Sequence, residues 1–292
     1  MTSRVSPKTI VATVAVAAAS VAAYFLFIRK KASCQMSIFR LVTHRLPCLV
    51  QSEELSKARP MLVGVCGGSG SGKSTVVDHL GKLLKEHNIE TTVLGQDWYY
   101  KDLSHLPMEQ RAASNFDHPD SIDFELFSQQ LAELQRGRKI SRPSYDFKTH
   151  TRCPSHENVT LKPSPVIIVD GILALHDSRL RELYDLAVFI RVSDLKRLER
   201  RAERDIRVRG RDRAGVEKQF WATVAPMHKQ FVEPSSVHAR VVLDWEHDHE
   251  DAGASSIAEN VVREKVVNVL LPMVKEAGFG VAKDDKAESK RA

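Results

Sequence analysis

Short apolar runs alternate with stretches of helical periodicity through the middle of the chain. This alternation predicts an α/β fold with a doubly wound, mostly parallel sheet. One helix is expected at 123–135, and another at 255–276 carries apolar residues at helical spacing that would pack on the sheet. A small β-hairpin insertion is expected between Lys139 and Lys162. The predicted strands are 61–66, 91–96, 166–170, 186–191 and 239–243.

The composition permits a packed domain and excludes several classes of chain. Of the 292 residues, 42% are hydrophobic and 27% charged, which excludes a disordered, collagen-like or polytopic membrane protein. The net charge of +6 would suit a nucleic acid, an anionic membrane or a phosphorylated ligand and does not decide among them. Four widely spaced cysteines without a C-x-x-C pair argue against a disulfide framework or a zinc site and indicate a reducing compartment.

An uncharged run of 19 residues, from Ile10 to Ile28, is long enough for a membrane helix. Basic residues flank it on both sides, and we expect an anchor whose C-terminal side faces the cytosol, in the mitochondrial outer membrane or the endoplasmic reticulum. A cleaved targeting sequence and an Ala-rich soluble helix are the alternatives. If the segment is lost, the protein would be cytoplasmic.

A glycine-rich loop lies between the first predicted strand and the following helix. Residues 67–74 fit the pattern G-x-x-x-x-G-K-[ST], whose backbone N–H groups cradle phosphates while Lys73 reaches the β and γ phosphates. The loop predicts nucleoside triphosphate binding, and a flexible Gly/Ser linker is the alternative. The residues expected to bind ATP are Gly67, Gly68, Ser69, Gly70, Ser71, Gly72, Lys73, Ser74 and Thr75.

A carboxylate ends a second apolar strand, at Asp170. The carboxyl ends of parallel strands meet at the same edge of a sheet, so Asp170 and the Ser74 hydroxyl are predicted to hold Mg²⁺ between them. An ordinary Asp that caps the next helix is the alternative.

The remaining motifs favour a small-molecule kinase among the phosphate-loop proteins. The guanine-reading N-K-x-D of GTPases and the L-S-G-G-Q of ABC ATPases are both missing from the sequence. Asp97 follows a predicted strand, where it is the candidate base, and residues 98–100 would form the wall of the pocket. An arginine-rich helix from Asp194 predicts a cationic lid over the transferred phosphoryl group. Nucleic-acid binding is not expected, because no aromatic residues interleave with these arginines.

Five segments resemble the uridine-cytidine kinases, in the order found in that family, between about Met61 and Glu276. The five segments are Gln96–Tyr100, Asn115–Asp120, Pro143–Arg152, Arg201–Asp205 and Arg209–Asp212. The C-terminal part of the chain is also similar to a second family, the nicotinamide riboside kinases.

The resemblance implies a role for each matching residue. Asp97 would accept the proton of the nucleoside 5′-hydroxyl, Asp117 would hold the ribose hydroxyls, and Tyr145 and His150 would recognise the pyrimidine. Surface or packing roles for Tyr145 and His150 are the alternatives. Lys73 and two lid residues, Arg201 and Arg204, would join Asp97 in catalysis. Further contacts are implied for Tyr100, Arg201, Arg211 and Gln219 with the substrate and for Arg209 and Asp248 with ATP.

The resemblance also implies the reaction and the domain organisation. We expect phosphorylation of uridine and cytidine, with Mg²⁺ as cofactor, ATP as donor and a homo-oligomer as one expected assembly. Another ribonucleoside kinase, such as one for nicotinamide riboside, and a membrane-tethered NTP-binding regulator without turnover are the alternatives. The acidic and histidine-rich segment 246–251 is interpreted as a solvated loop and not a metal site. The predicted divisions are a membrane anchor or targeting segment at 1–31, a linker at 32–59, a P-loop nucleoside kinase domain at 60–277 and a disordered charged tail at 278–292.

Overall fold

The computed structural model describes residues 59–246 and 254–279. Residues 32–58 of the expected linker and the segment that holds Asp248 lie outside these residues, as does nearly all of the expected tail. The boundaries of the kinase domain therefore stay predictions.

The described strands are β1 (Met61–Gly67), β2 (Thr91–Gly95), β3 (Ile140–Arg142), β4 (Tyr145–Asp146), β5 (Thr151–Arg152), β6 (Val159–Leu161), β7 (Val166–Gly171), β8 (Leu186–Arg191) and β9 (Val241–Asp244). Five of them are parallel and form the central sheet, in the order β2-β7-β1-β8-β9. Two further pairs of short antiparallel strands, β3 with β6 and β4 with β5, lie in an insertion before β7.

Helices cover both faces of this sheet. The last helical region is interrupted by a π-helical segment at Arg263–Val267, and two more π-helical segments, Phe220–Val224 and His228–Val232, follow the helix Arg213–Gln219. The α-helices are α1 (Lys73–Glu86), α2 (Met108–Ala113), α3 (Phe124–Gln135), α4 (Ser178–Arg181), α5 (Asp194–Arg209), α6 (Arg213–Gln219), α7 (Ala225–Met227), α8 (Ala254–Val262) and α9 (Asn268–Glu276).

The core has one hydrophobic cluster on each side of the sheet. Apolar residues of α1, α8 and α9 pack on one face, and those of α3 pack on the other. All seven residues of β1 are buried, as expected for a central strand covered on both faces. The predicted doubly wound parallel sheet is therefore confirmed, together with its five strands and the 123–135 helix.

Local hydrogen bonds account for the differences at strand ends. β2 stops at Gly95 because the chain turns into a 3₁₀ helix at Gln96–Tyr99. β9 begins at Val241 because the Ala239 N–H closes the preceding 3₁₀ helix by donating to the Ser236 carbonyl. The predicted single hairpin is two short ladders, in which β4 and β5 form the inner pair.

The predicted membrane-anchored localisation is corrected. The segment Ile10–Ile28, which carried that prediction, lies outside the described residues. Across the part of the chain that the structure describes, no helix has both the length and the apolar character needed to cross a bilayer. The longest α-helix among the described residues, α5, has 16 residues and is rich in arginine. Membrane anchoring is therefore not proposed.

Candidate active site

A cavity of about 840 Å³ opens at the carboxyl ends of the central strands, where open α/β sheets bind ligands. Residues from the phosphate loop, β2, β7, the insertion and the lid region line it. It brings together most of the predicted site residues, namely Ser69, Lys73, Ser74, Asp97, Tyr100, Asp117, Tyr145, His150, Asp170, Arg201, Arg204, Arg209, Arg211 and Gln219.

The phosphate loop connects β1 to α1 in a tight curve. The Lys73 ammonium donates to the Gly68 carbonyl at 3.1 Å. Gly70 has a φ of +81°, and a Cβ built there would lie 2.2 Å from the backbone oxygen of Arg197. Arg197 is fully buried behind the loop. The loop is thus packed against α5, and the predicted residues Gly67, Gly68, Gly70, Ser71, Gly72 and Thr75 are not among the residues that line the cavity.

Ser74 and Asp170 meet at the carboxyl end of β7. The Ser74 hydroxyl donates to Asp170 Oδ2 at 3.2 Å, whereas Oδ1 of Asp170 is buried and has no hydrogen-bond partner among the described residues. A hydroxyl and a carboxylate with a spare oxygen are the hard oxygen ligands that Mg²⁺ prefers. These residues therefore fit the predicted cation.

Asp97 lies in the turn after β2, at the base of the cavity. Burial raises the pKa of its carboxyl group, the nearby Lys73 ammonium opposes this shift, and Asp170 adds to it. The preceding residue fixes the turn, because the buried Gln96 side chain accepts a hydrogen bond from the Leu173 N–H at 2.8 Å. The candidate base and the candidate cation ligand are thereby held at adjacent strand ends.

Another part of the cavity lining is aromatic. The rings of Phe116 and His150 stack with centroids 4.8 Å apart. The Tyr100 ring contacts Phe116 edge-on, with ring centroids 5.3 Å apart, and is tilted against Tyr145, with centroids 5.4 Å apart. Asp117 follows Phe116, and burial raises the pKa of its carboxyl group against the opposing effect of Arg201. This part of the lining combines the flat apolar faces of aromatic rings with the carboxylate of Asp117, which suits a heterocycle linked to a sugar.

His150 has the left-handed backbone conformation, with φ of 53°. Burial, helped by the positive charge of Arg211, lowers the pKa of its imidazole. A neutral imidazole carries one N–H donor and one acceptor, so it can bond a polar edge of a planar ring.

The arginine-rich helix α5, the loop that follows it and the last residue of α6 line the cavity. Arg201 Nη1 donates to Ser69 Oγ at 2.7 Å. Arg201 Nη2 and Arg211 Nη1 both donate to Gln219 Oε1, at 3.2 and 2.8 Å. The lid is thus attached to the phosphate loop on one side and to the following helix on the other.

Sequence reasoning placed some residues wrongly and missed others. Tyr99, expected in the wall of the pocket, is buried in the core, stacks on Phe127 and donates to Gln130 Oε1 at 2.7 Å. Phe116 was missed, although it lies inside one of the motifs beside Asp117. The other missed residues that line the cavity are Gly95, Ser114, Phe147, Lys148, Gly171, Ile172, Val208 and Thr223.

The segment 246–251 is described only at its first residue. Glu246 accepts hydrogen bonds from the Ser193 N–H at 2.6 Å and from the Ser193 hydroxyl at 3.0 Å. Within the described parts of the chain, no group of three His, Cys, Asp or Glu side chains could hold a metal ion. Asp248 lies outside those parts, so its contact with ATP stays a prediction.

Comparison with known proteins agrees with this geometry. The model of the phosphoribulokinase/uridine kinase family matches residues 62–250, more than half of the chain. The chain belongs to this family. It is therefore a P-loop kinase, as the loop and the sheet order indicate.

Relatives in the phosphoribulokinase/uridine kinase family are similar over most of their length. The uridine kinase of Leuconostoc citreum is 46% identical over 185 residues, which are 63% of this chain and 87% of the relative. The uridine kinase of Clostridium novyi is 40% identical over 212 residues, which are 73% of this chain and 97% of the relative. A solved Silicibacter kinase named for a fructose transport system has a TM-score of 0.52 at 20% identity, covering 73% of this chain and 98% of its own, and shows the fold alone.

Proposed function

We propose that this kinase transfers the γ-phosphoryl group of ATP to the ribose 5′-hydroxyl of uridine and cytidine. One observation carries the proposal: the lining of a single cavity combines cationic groups, Lys73 and the lid arginines, with the rings of Phe116 and His150 and with the carboxylate of Asp97. The relatives named uridine kinase support the choice of acceptor.

At the donor end, the phosphate loop binds the triphosphate through its backbone N–H groups. Lys73 and the lid residues Arg201, Arg204 and Arg209 neutralise the charge that spreads over the phosphoryl oxygens during transfer. Ser74 and Asp170 hold Mg²⁺, which, when bound, neutralises charge on the β and γ phosphates. Because electrostatic stabilisation dominates phosphoryl transfer, these charges supply much of the rate.

At the acceptor end, the pyrimidine packs on the aromatic side chains, and the neutral His150 imidazole bonds its polar edge. Tyr145 gives a ring and a buried hydroxyl that has no hydrogen-bond partner within the described residues. The Asp117 carboxylate accepts hydrogen bonds from the ribose hydroxyls, so a sugar that lacks one of these hydroxyls leaves a carboxylate oxygen without its hydrogen bond. Tyr100, Arg211 and Gln219 complete the walls.

Transfer needs a proton acceptor close to the 5′-hydroxyl. The Asp97 carboxylate takes that proton while the 5′-oxygen bonds to the γ-phosphorus and the bond to the leaving ADP oxygen breaks. Burial raises the pKa of Asp97 and so strengthens it as a proton acceptor, while the positive charge of Lys73 opposes that shift. The products are ADP and the nucleoside 5′-monophosphate.

A nucleoside panel tests the proposal on the full chain. With ATP and Mg²⁺, uridine and cytidine are expected to give the highest kcat/KM by a coupled ADP assay, and 2′-deoxyuridine a much lower one. Turnover with nicotinamide riboside and not with uridine would overturn the proposal in favour of another ribonucleoside kinase.

A further inference from the structure

One carboxylate in the lid contacts four arginines. Asp205, on α5, has no exposed surface. Its Oδ1 accepts a hydrogen bond from Arg204 Nη2 at 2.8 Å and lies 3.3 Å from Arg209 Nη1. Its Oδ2 lies 3.4 Å from Arg211 Nη1 and 3.7 Å from Arg201 Nε. Both oxygens are therefore shared between guanidinium groups.

These contacts with Asp205 offset the electrostatic repulsion among the arginines of the lid. Four guanidinium groups converge on one small volume, where they repel one another. Burying a carboxylate is costly unless charged partners compensate it, and here four partners do so. Burial alone would raise the pKa of Asp205, but Arg204 and the other nearby arginines outweigh it and hold that pKa below its ordinary value. The nearby arginines thus favour the ionised form of this carboxylate.

The same four arginines line the cavity beside the phosphate loop. Each guanidinium has five N–H donors, and Asp205 engages only part of each set. Four cations against one anion leave an excess of three positive charges in this cluster. The cluster therefore keeps both donors and charge for a polyanion.

We propose that Asp205 is the positioning residue of the arginine lid, fixing the four guanidinium groups in the arrangement that receives the polyphosphate of the donor. It touches no reacting atom and acts through Arg201, Arg204, Arg209 and Arg211. This inference rests on the proposed function only for the identity of the donor as a nucleoside triphosphate.

A purely structural role would make a different prediction. If Asp205 only relieved repulsion within the fold, its loss would lower stability without a specific effect on polyphosphate binding. If Asp205 competed with phosphate for the arginines, its loss would tighten that binding. Only the positioning role predicts weaker binding by a folded variant.

Tripolyphosphate binding, measured by calorimetry on the full chain, separates these cases. Asp205→Asn is expected to weaken binding at least 10-fold, and Asp205→Glu, which keeps the charge, to retain at least a third of the wild-type affinity. Glu203→Gln is the matched control, because Glu203 lies on the exposed side of the same helix and the change removes the same charge. It should bind within 2-fold of the wild type.

Kinetics with ATP and uridine give the second readout. Asp205→Asn should raise the KM for ATP and leave the KM for uridine within about 2-fold. Unchanged or tighter tripolyphosphate binding by a folded Asp205→Asn would overturn the inference. Failure of both Asp205→Asn and Asp205→Ser to fold would also overturn it, because the carboxylate would then serve the fold itself. Since tripolyphosphate contains no acceptor, a wild type inactive on uridine would defeat the proposed function and leave this binding test intact.

Discussion

Arg201 Nη1 donates a 2.7 Å hydrogen bond to Ser69 Oγ, which joins the lid helix directly to the phosphate loop. The rest of this guanidinium lies close to Asp205 and Gln219. Burial lowers the pKa of Arg201, but the arginine stays charged at neutral pH because its ordinary pKa is so high. The Arg201 guanidinium therefore lies where the loop, the lid and α6 meet, so a change in the lid is expected to alter phosphate binding.

Asp97→Asn tests the assigned base. The amide keeps the shape of the side chain but cannot take a proton, so kcat is expected to fall by about 10² to 10⁴ while the fold and ATP binding remain. Steady-state kinetics with uridine and a calorimetric ATP titration measure both quantities. Near wild-type turnover by the variant would show that Asp97 is not the base.

His150→Ala tests recognition of the nucleoside base. Loss of one hydrogen bond and of the stack on Phe116 should raise the KM for uridine and cytidine by about 10-fold and change the KM for ATP by less than about 2-fold. His156→Ala is the control, because that exposed imidazole lies in the same insertion outside the lining of the cavity. Equal effects of His150→Ala on both substrates would assign the histidine to the fold instead.

Gly70→Ala tests the packing of the phosphate loop on α5. Its new Cβ would overlap the backbone oxygen of Arg197 at 2.2 Å, so the loop must shift and ATP affinity is expected to drop at least 10-fold. Gly137→Ala is the matched control: Gly137 also has a positive φ, +76°, but its Cβ would meet nothing within 4 Å. Both changes cost about 1 kcal/mol of conformational strain. Equal ATP affinity in the two variants would contradict the account of the loop.

His228 predicts a pH dependence of stability. Burial, reinforced by Arg197, lowers the pKa of its imidazole to about 4, whereas an unfolded histidine titrates near 6.5. The unfolded chain therefore binds a proton that the folded chain rejects, and stability is lost as the pH falls from about 6.5 to about 4. The loss from this group is at most about 3 kcal/mol.

Denaturant unfolding of the wild type and of His228→Gln across that pH range measures this contribution. The variant should lose less stability on acidification than the wild type. His238→Gln, which changes an exposed histidine, should follow the wild type. Identical pH profiles for His228→Gln and the wild type would show that His228 does not titrate as described.

The parallel sheet could be predicted because strands buried on both faces appear as continuous apolar runs. β1 and β7 are such runs; the phosphate loop begins at the end of β1, and Asp170 lies near the end of β7. The pattern of apolar residues could not show which of two adjacent aromatic residues lies in the core and which lines the cavity. Tyr99 and Tyr100 differ by one position, and only the 3₁₀ turn of Gln96–Tyr99 determines that the first faces the core and the second the cavity.

The lid shows a second limit of the sequence pattern. The pairs 199/203 and 200/204 each bring together two like charges, which indicates an anionic partner for the helix. The arginines that line the cavity agree with this prediction. The informative spacing is that of Asp205, four residues from both Arg201 and Arg209. Its meaning depends on the complete burial of the carboxylate, and spacing alone does not reveal burial.

The most direct test of the central claim follows the phosphorus atom. The full chain is incubated with Mg²⁺, uridine and ATP that carries a radioactive label on its γ-phosphorus, and the products are separated by chromatography. The account predicts that the label appears in uridine 5′-monophosphate, in an amount equal to the ADP formed, and that Asp97→Asn suppresses it. Label released only as inorganic phosphate, or transferred to nicotinamide riboside and not to uridine or cytidine, would contradict the account.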